Sequence, residues 1–372
     1  MAQAKRQGVL IAGGGIAASL AALAMARLRP EVPLLLVGED NAFGGNASWT
    51  FFHDELTKDE LRLVEPWISH SWHGYYVAFP GTSRKLKAEC SVIRPSDLDK
   101  LVRDALGPDR FRLKARIVAT REDSLILHGG EKITAEGAID ARAATNLNLL
   151  DLGWRNAMTR EFVFASPHRV DRPVLMDSTL SEGASCRFTS CVPLGEKALL
   201  VEDVHYSRAP EEEDREMVSA RIDSYVERRG WKGGKRKQGP VGASPIAIGG
   251  DFPAFWRAGG ARVAKIGVRG GFFHPATGSP LADAIRTAML LVKQSDFGGE
   301  HLHDLFEAQA VNAWNRREFH RNFNAALLED RSGERCGALE RLYQLDANLI
   351  ARFQSERLGI FDRRRIAGAI SR

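Results

Sequence analysis

The chain opens on an apolar run from Gly8 to Ala12 and breaks at Gly13-Gly14-Gly15. It continues in an Ala/Leu/Met-rich stretch to Leu28, then a second apolar run, Leu34-Leu35-Leu36-Val37. Short unbroken apolar runs flanking a longer apolar stretch predict two buried strands joined by a buried helix, a βαβ unit. The segment from Phe43 to Gly81, rich in Gly, Trp, His and Tyr, has no clear period and predicts looser structure. Beyond it, Arg94-Pro95-Ser96-Asp97-Leu98-Asp99-Lys100-Leu101 reads as a helix start, with Ser96 or Asp97 near the N-cap. Strands are expected at Ile117–Thr120, at Leu125–His128 and on Ala138-Ile139-Asp140. From Phe162 to about Ile248 the pattern is mostly strand, interrupted by a charged helix around Glu211 to Arg229, and a sheet here would roof a cavity. The glycine-rich stretch from Gly267 to Gly278 feeds a helix starting near Leu281. The remainder reads as helical, with tryptophan, phenylalanine and arginine interleaved.

A chain of 372 residues, 44% hydrophobic and 27% charged, has core enough for one large or two intimately joined α/β domains and is not of disordered composition. The longest mainly apolar run, Ile16 to Ala26, falls short of the roughly twenty residues a membrane span needs. Lys5-Arg6-Gln7 lead directly into the first strand rather than into a leader, so a cytoplasmic protein is expected. The net charge of +5 is compatible with an anionic surface, but no nucleic-acid module accompanies it. Cys90, Cys186, Cys191 and Cys336 have no metal-ligand spacing, so free buried thiols and no metal site are expected.

The chemistry begins at Gly13-x-Gly15-x-x-Ala18. This turn follows a strand and opens a helix, so the glycines permit close approach of a pyrophosphate while the helix N-terminus faces its charge. The acid that would bind the ribose is expected at the end of the second strand, where Gly38 is followed by Glu39 and Asp40, and Glu39 is the candidate.

Further motifs lie along the rest of the chain. They are Gly44-Gly45-Asn46-x-Ser48-Trp49-x-Phe51, Val174-Leu175-Met176-Asp177-Ser178-Thr179, Leu199-Leu200-Val201-Glu202-Asp203-x-x-Tyr206-Ser207 and Gly271-Phe272-Phe273-His274-Pro275-x-Thr277-Gly278, with Arg341-Leu342-Tyr343 and Arg357-Leu358 near the end. In this order they resemble the bacterial lycopene β-cyclases, FAD-dependent enzymes of carotenoid synthesis, over nearly the whole chain. The resemblance implies a Rossmann-type FAD-binding domain (1–160 and 240–300), an intimately joined β-sheet substrate domain (50–90 and 161–240) and a helical C-terminal region (301–372), the architecture of hydroxylase-like flavoproteins. It implies an isomerase using reduced FAD, with NADPH as reductant, that cyclises the ends of lycopene or a related linear carotene. Glu202 and Asp203 would be catalytic. Gly45, Arg94, Gly271, His274, Pro275, Thr277 and Gly278 would join Gly13, Gly15, Ala18 and Glu39 at the cofactor. Three elements differ from the family's usual wording: Ser279-Pro280-Leu281-Ala282 for Tyr-Ser-Leu-Pro, Asp140-Ala141-Arg142-Ala143 for Asp-Gly-Arg-Gly, and Ser185-Cys186-Arg187-Phe188 for Gly-Tyr-Arg-Phe.

Protonating an alkene needs an acid that is neutral and poorly hydrated, and the cation that follows needs aromatic faces. Adjacent strand residues point to opposite faces, so one of Glu202 and Asp203 enters the cavity, and Glu202 is favoured as the acid with Asp203 orienting it. Trp49, Phe51, Phe52, Phe188, Phe272 and Phe273 are candidate cation-facing aromatics. Because the substrate is lipid-soluble, the region Trp314 to Arg372, with Phe319, Phe323, Phe353 and Phe361 among arginines, is expected to meet the inner face of the cell membrane. The rival enzyme class is a redox flavoprotein, a monooxygenase or a carotenoid or prenyl reductase, on the same fold.

Overall fold

The computed structural model describes residues 8–180, 186–211, 213–329 and 336–370, so Lys5 to Gln7 and Ser185 lie outside it. The first unit is the expected βαβ: β1 (Val9–Ala12), α1 (Ile16–Leu28) and β2 (Leu34–Val37). β1 is the middle strand of a five-stranded parallel sheet, between β2 and Gly137–Asp140, with Phe111–Arg112 and Ala264–Lys265 at the two edges. Its residues alternate between two cores, as strand geometry requires. Val9 and Ile11 pack with α1 and the Leu281–Val292 helix, whereas Leu10 and Ala12 pack under a small antiparallel sheet built on Ile117–Arg121 and Ser124–Leu127. Burial on both faces explains why β1 reads as an unbroken apolar run. Ten of the thirteen residues of α1 are buried, so the helix has no polar face to show a period.

The second unit is a seven-stranded sheet ordered Lys235–Gly250, Leu150–Val163, Ala198–Ser207, Arg187–Pro193, Val174–Asp177, Tyr75–Phe79, Thr82–Leu86. Its pairings are antiparallel except that between Val174–Asp177 and Tyr75–Phe79. The Arg215–Arg228 helix covers one face through Val218, Ile222, Tyr225 and Val226. The other face meets C-terminal helices carrying Phe323, Leu339, Leu342, Ile350 and Phe353.

Several expectations need correction. The helix after Arg94 runs Pro95–Leu106, with Arg94 rather than Ser96 or Asp97 as N-cap, because Pro95 takes the first helical position, where its missing N–H costs nothing. The segment 43–81 is more ordered than its composition suggests: Trp49–Phe52 and His70–Trp72 both pair with Cys90–Ile93. Two of the cysteines are not free thiols. Cys186 and Cys336 form a disulfide across 150 residues, joining the start of a sheet strand to the start of the Gly337–Gln344 helix, while Cys90 and Cys191 are free and buried. Pairing at such a separation depends on the tertiary fold and leaves no mark in local spacing. Of the aromatics expected on a C-terminal surface, Phe323 and Phe353 are interior and Phe361 is exposed.

Candidate functional site

Two sites share the boundary between the units. The first is the glycine turn. Gly13 has φ +125°, and a Cβ there would stand 2.8 Å from the carbonyl oxygen of Ala141, so a side chain is excluded on both counts. Gly15 caps α1, and a Cβ on it would meet nothing within 4 Å, which leaves open space in front of the helix N-terminus. Ala18 is buried one turn further on. The Gly44 N–H donates to the Gly14 carbonyl (2.8 Å) and to Ser19 Oγ (3.0 Å), which folds Gly45 beside Gly15. Glu39 is exposed just past β2 and accepts the Ile117 N–H at 3.0 Å. These groups frame a cradle at a helix N-terminus with room for a pyrophosphate. Arg94 points elsewhere in this conformation, forming an ion pair with Glu161 at 3.0 Å.

The second site is a cavity of about 400 Å³ between the large sheet and the C-terminal helices. Strand alternation decides which acid reaches it. Leu199, Val201 and Asp203 face the Arg215–Arg228 helix, where Asp203 pairs with Arg187 and Arg221. Leu200, Glu202 and Tyr206 line the cavity. Glu202 is held by Arg155, whose Nη2 donates to Oε2 at 2.5 Å, and their side chains are 23% and 14% exposed. Burial opposes the Arg155 charge, but the Glu202 carboxylate outweighs it and the arginine stays charged. Asp203, His205 and Glu213 bring three potential ligand atoms within 4.8 Å of one another, but the guanidiniums of Arg187 and Arg221 already lie against their carboxylates.

The glycine-rich segment forms another wall. Gly267 packs so closely on Ala17 that a Cβ would stand 2.9 Å from that methyl, and the left-handed Gly271 (φ +74°) lies against the Phe252 ring. This segment therefore links the glycine-turn helix to the cavity. His274 and Thr277 line it; Pro275 accepts an amide hydrogen bond from Asn324 at 2.6 Å and Gly278 turns against Ser244. His274 Nδ1 accepts the Ala276 N–H (3.2 Å), so Nε2 carries the proton and donates to the Gln354 carbonyl (3.1 Å). Burial pushes this imidazole down to about 4, against the pull of Glu356, and it is neutral at pH 7.

Trp49, Phe52 and Phe188 face the cavity as expected of cation-facing rings, whereas Phe51, Phe272 and Phe273 are core residues that do not line it. Sequence reasoning missed Tyr206, Phe323, Tyr343 and Phe353 as lining rings, Arg155 as the partner of Glu202, and Glu55 as a second acid in the wall. The strand pairing of Leu150–Val163 with Ala198–Ser207 sets Thr159 opposite Glu202 and places Arg155 within reach, a register no local pattern announces.

Residues 8–370 match the profile of the family described as lycopene cyclase protein. The chain belongs to this family. It is 30% identical to the lycopene beta-cyclase of Pseudescherichia vulneris over 359 residues, covering 96% of this chain and 92% of the relative. It is equally similar to that of Pantoea ananas, at 30% with 96% and 93% covered. Among solved structures, a geranylgeranyl bacteriochlorophyll reductase-like protein of Thermoplasma acidophilum superimposes with a TM-score of 0.59 at 15% identity, covering 99% and 96% of the two chains. A flavin-dependent halogenase of Xanthomonas campestris superimposes with a TM-score of 0.61 at 11%, again covering 99% and 96%. At such identities these two show a shared fold, which this member of the cyclase family keeps over nearly its whole length.

Proposed function

We propose that this member of the family is a lycopene β-cyclase, an isomerase that closes the linear ends of lycopene, by way of γ-carotene, into the β-rings of β-carotene. The observation that carries the reading is Glu202, projecting from the Ala198–Ser207 strand into an aromatic-lined cavity. The cradle at Gly13, Gly15, Ala18 and Gly45 fits FAD: the space in front of Gly15 suits the pyrophosphate, and Glu39, exposed just past β2, is our candidate for the ribose acid. Bound there in its reduced form, with NADPH as the reductant, the flavin would supply electron density able to steady a cation. Gly271, His274, Pro275, Thr277 and Gly278 form the wall joining the two sites.

The protein's own share is to exclude water, to face the cation with aromatic rings and to move protons. Trp49, Phe52, Phe188 and Tyr206 give the cavity polarisable faces. Glu202 refines the expectation of a simple proton donor. Paired with Arg155, it is suited to steady the ring cation and to receive the departing proton, and Asp203 on the opposite face fixes the strand through Arg187 and Arg221.

A lipid-dissolved substrate requires a route from the membrane. Among the described residues no helix is long and apolar enough to cross one. Ile360 and Phe361, 70% and 78% exposed, project beside the exposed Arg357, Arg364 and Arg365. Apolar side chains ringed by arginines suit reversible docking on the anionic inner face of the cell membrane. The reading is tested with FAD-loaded protein, lycopene in liposomes and NADPH under anaerobic conditions. Wild type yields cyclised product, and Glu202→Gln lowers its rate on the order of a hundredfold or more while keeping FAD. Undiminished cyclisation by the variant would remove Glu202 from the chemistry.

A further inference from the structure

If Glu202 is committed to Arg155, the cavity needs a second group that can hold a proton. Glu55 stands in the wall between the cavity and a separate outer cleft and lines both. Thr57, Lys293, Arg316 and Arg357 on that cleft are solvent-exposed, so water reaches one side of the Glu55 wall while aromatic rings occupy the other. The Glu55 carboxyl accepts one described hydrogen bond, from the Phe52 N–H at 2.8 Å, and Phe52 itself lines the cavity. Arg286 donates to the Glu55 backbone carbonyl, and its guanidinium is engaged by Asp283 at 2.8 Å. Arg317 is likewise saturated, by Asp283 and Glu356 at 2.8 Å each. Both guanidiniums are thus engaged by other carboxylates.

Resting on the cyclase reading above, we propose that Glu55 is the proton donor of the cavity and is recharged from the outer cleft, with Glu202 as the base. The protonated Glu55 carboxyl gives its hydrogen to the terminal double bond of the isoprenoid end, whose π electrons form the new C–H bond. The next double bond attacks the resulting cation and closes the ring. The ring cation then loses a different proton to the Glu202 carboxylate, and the electrons of that C–H bond become the ring double bond. Water in the cleft returns a proton to Glu55, and Glu202 releases the one it took, so substrate and product are isomers and no oxidant is consumed.

The electrostatics agree with this geometry. Burial raises the Glu55 carboxyl to about 7, the Phe52 N–H and Arg286 oppose that rise, and the Glu356 and Asp283 carboxylates reinforce it. Across the cleft face Glu60, Lys293, Arg316 and Arg357 complete its charged surroundings. A carboxyl half-protonated near neutrality is matched to proton donation at working pH.

The test uses FAD-loaded wild type, Glu55→Gln, Glu55→Asp and Glu202→Gln, with two readouts. Infrared difference titration should show a protonated carboxyl disappearing as pH rises through about 7, absent from Glu55→Gln and present in Glu202→Gln. Cyclisation by wild type should fall over the same range. Glu55→Gln should lose on the order of a hundredfold in rate and lose that pH limb, and Glu55→Asp should regain part of the rate with a shifted limb. A titration unchanged in Glu55→Gln, or a slower Glu55→Gln that keeps the wild-type pH limb, would mean that Glu55 only caps its turn. Failure of the wild type to cyclise would refute the functional reading, and this one with it.

Discussion

His274 offers a test in which the structure supplies the magnitude. Its imidazole is buried between the Ala276 N–H and the Gln354 carbonyl, and burial pushes it down to about 4 from the ordinary 6.5. A depressed value means that the unfolded chain binds the proton first. The stabilisation is therefore fully present above about pH 6.5 and is lost as pH falls toward 4. Between pH 7.5 and pH 4.5 the linkage integral gives about 2 to 3 kcal/mol lost from this residue alone. His274→Gln keeps a donor and an acceptor of similar reach but does not titrate. Urea unfolding of wild type and variant at the two pH values isolates the term, because Glu356, Asp283 and the other acids are common to both proteins. The variant should lose less stability on acidification than wild type by about that amount, since the pull of Glu356 at 4.0 Å is already contained in the depressed value. Equal losses in the two proteins would show that His274 is not buried neutral, and the tautomer assigned to the cavity wall would be wrong.

Other perturbations test separate parts of the structure. Gly13→Ala places a Cβ against the Ala141 carbonyl at a φ of +125°, so FAD affinity should fall at least tenfold by equilibrium titration, with far-UV circular dichroism little changed. Reducing Cys186–Cys336, or Cys186→Ser, removes a cross-link over 150 residues and should cost about 2 to 5 kcal/mol, read as a lower Tm. Ile360→Asp with Phe361→Asp should abolish co-sedimentation with anionic liposomes at low salt while leaving Tm within a few degrees, since both side chains are largely exposed.

How much of this was legible in the sequence follows from the range of each signal. The βαβ unit was, because β1 and β2 are short apolar runs buried on both faces and Gly13, which opens the turn after β1, stands where a side chain is excluded. The opposed directions of Glu202 and Asp203 were also legible, since period-two alternation needs no knowledge of the partner strand. What stayed hidden depends on register or on distant packing. Arg155 meets Glu202 through the pairing of two strands about fifty residues apart in sequence. Glu55 owes its charged surroundings to Asp283 and Arg286 of the Leu281–Val292 helix and to Glu356, all more than two hundred residues downstream. Phe323 and Phe353, set among arginines, read as a surface because the aromatic cavity they line is made by another part of the chain. The Cys186–Cys336 bridge is of the same kind.

Cyclisation as proposed moves protons in and out of a linear carotene end without net oxidation, and isotopic labelling addresses this directly. FAD-loaded protein, reduced by a catalytic amount of NADPH, is given lycopene under anaerobic conditions in H₂O and, separately, in D₂O, and the products are weighed by mass spectrometry. Acid–base cyclisation gives a product of unchanged mass in H₂O, and one heavier by a single deuterium for each ring closed in D₂O, with NADPH not consumed in proportion. A product in H₂O differing from lycopene by two hydrogens or by an oxygen atom, with one NADPH lost per molecule formed, would contradict it.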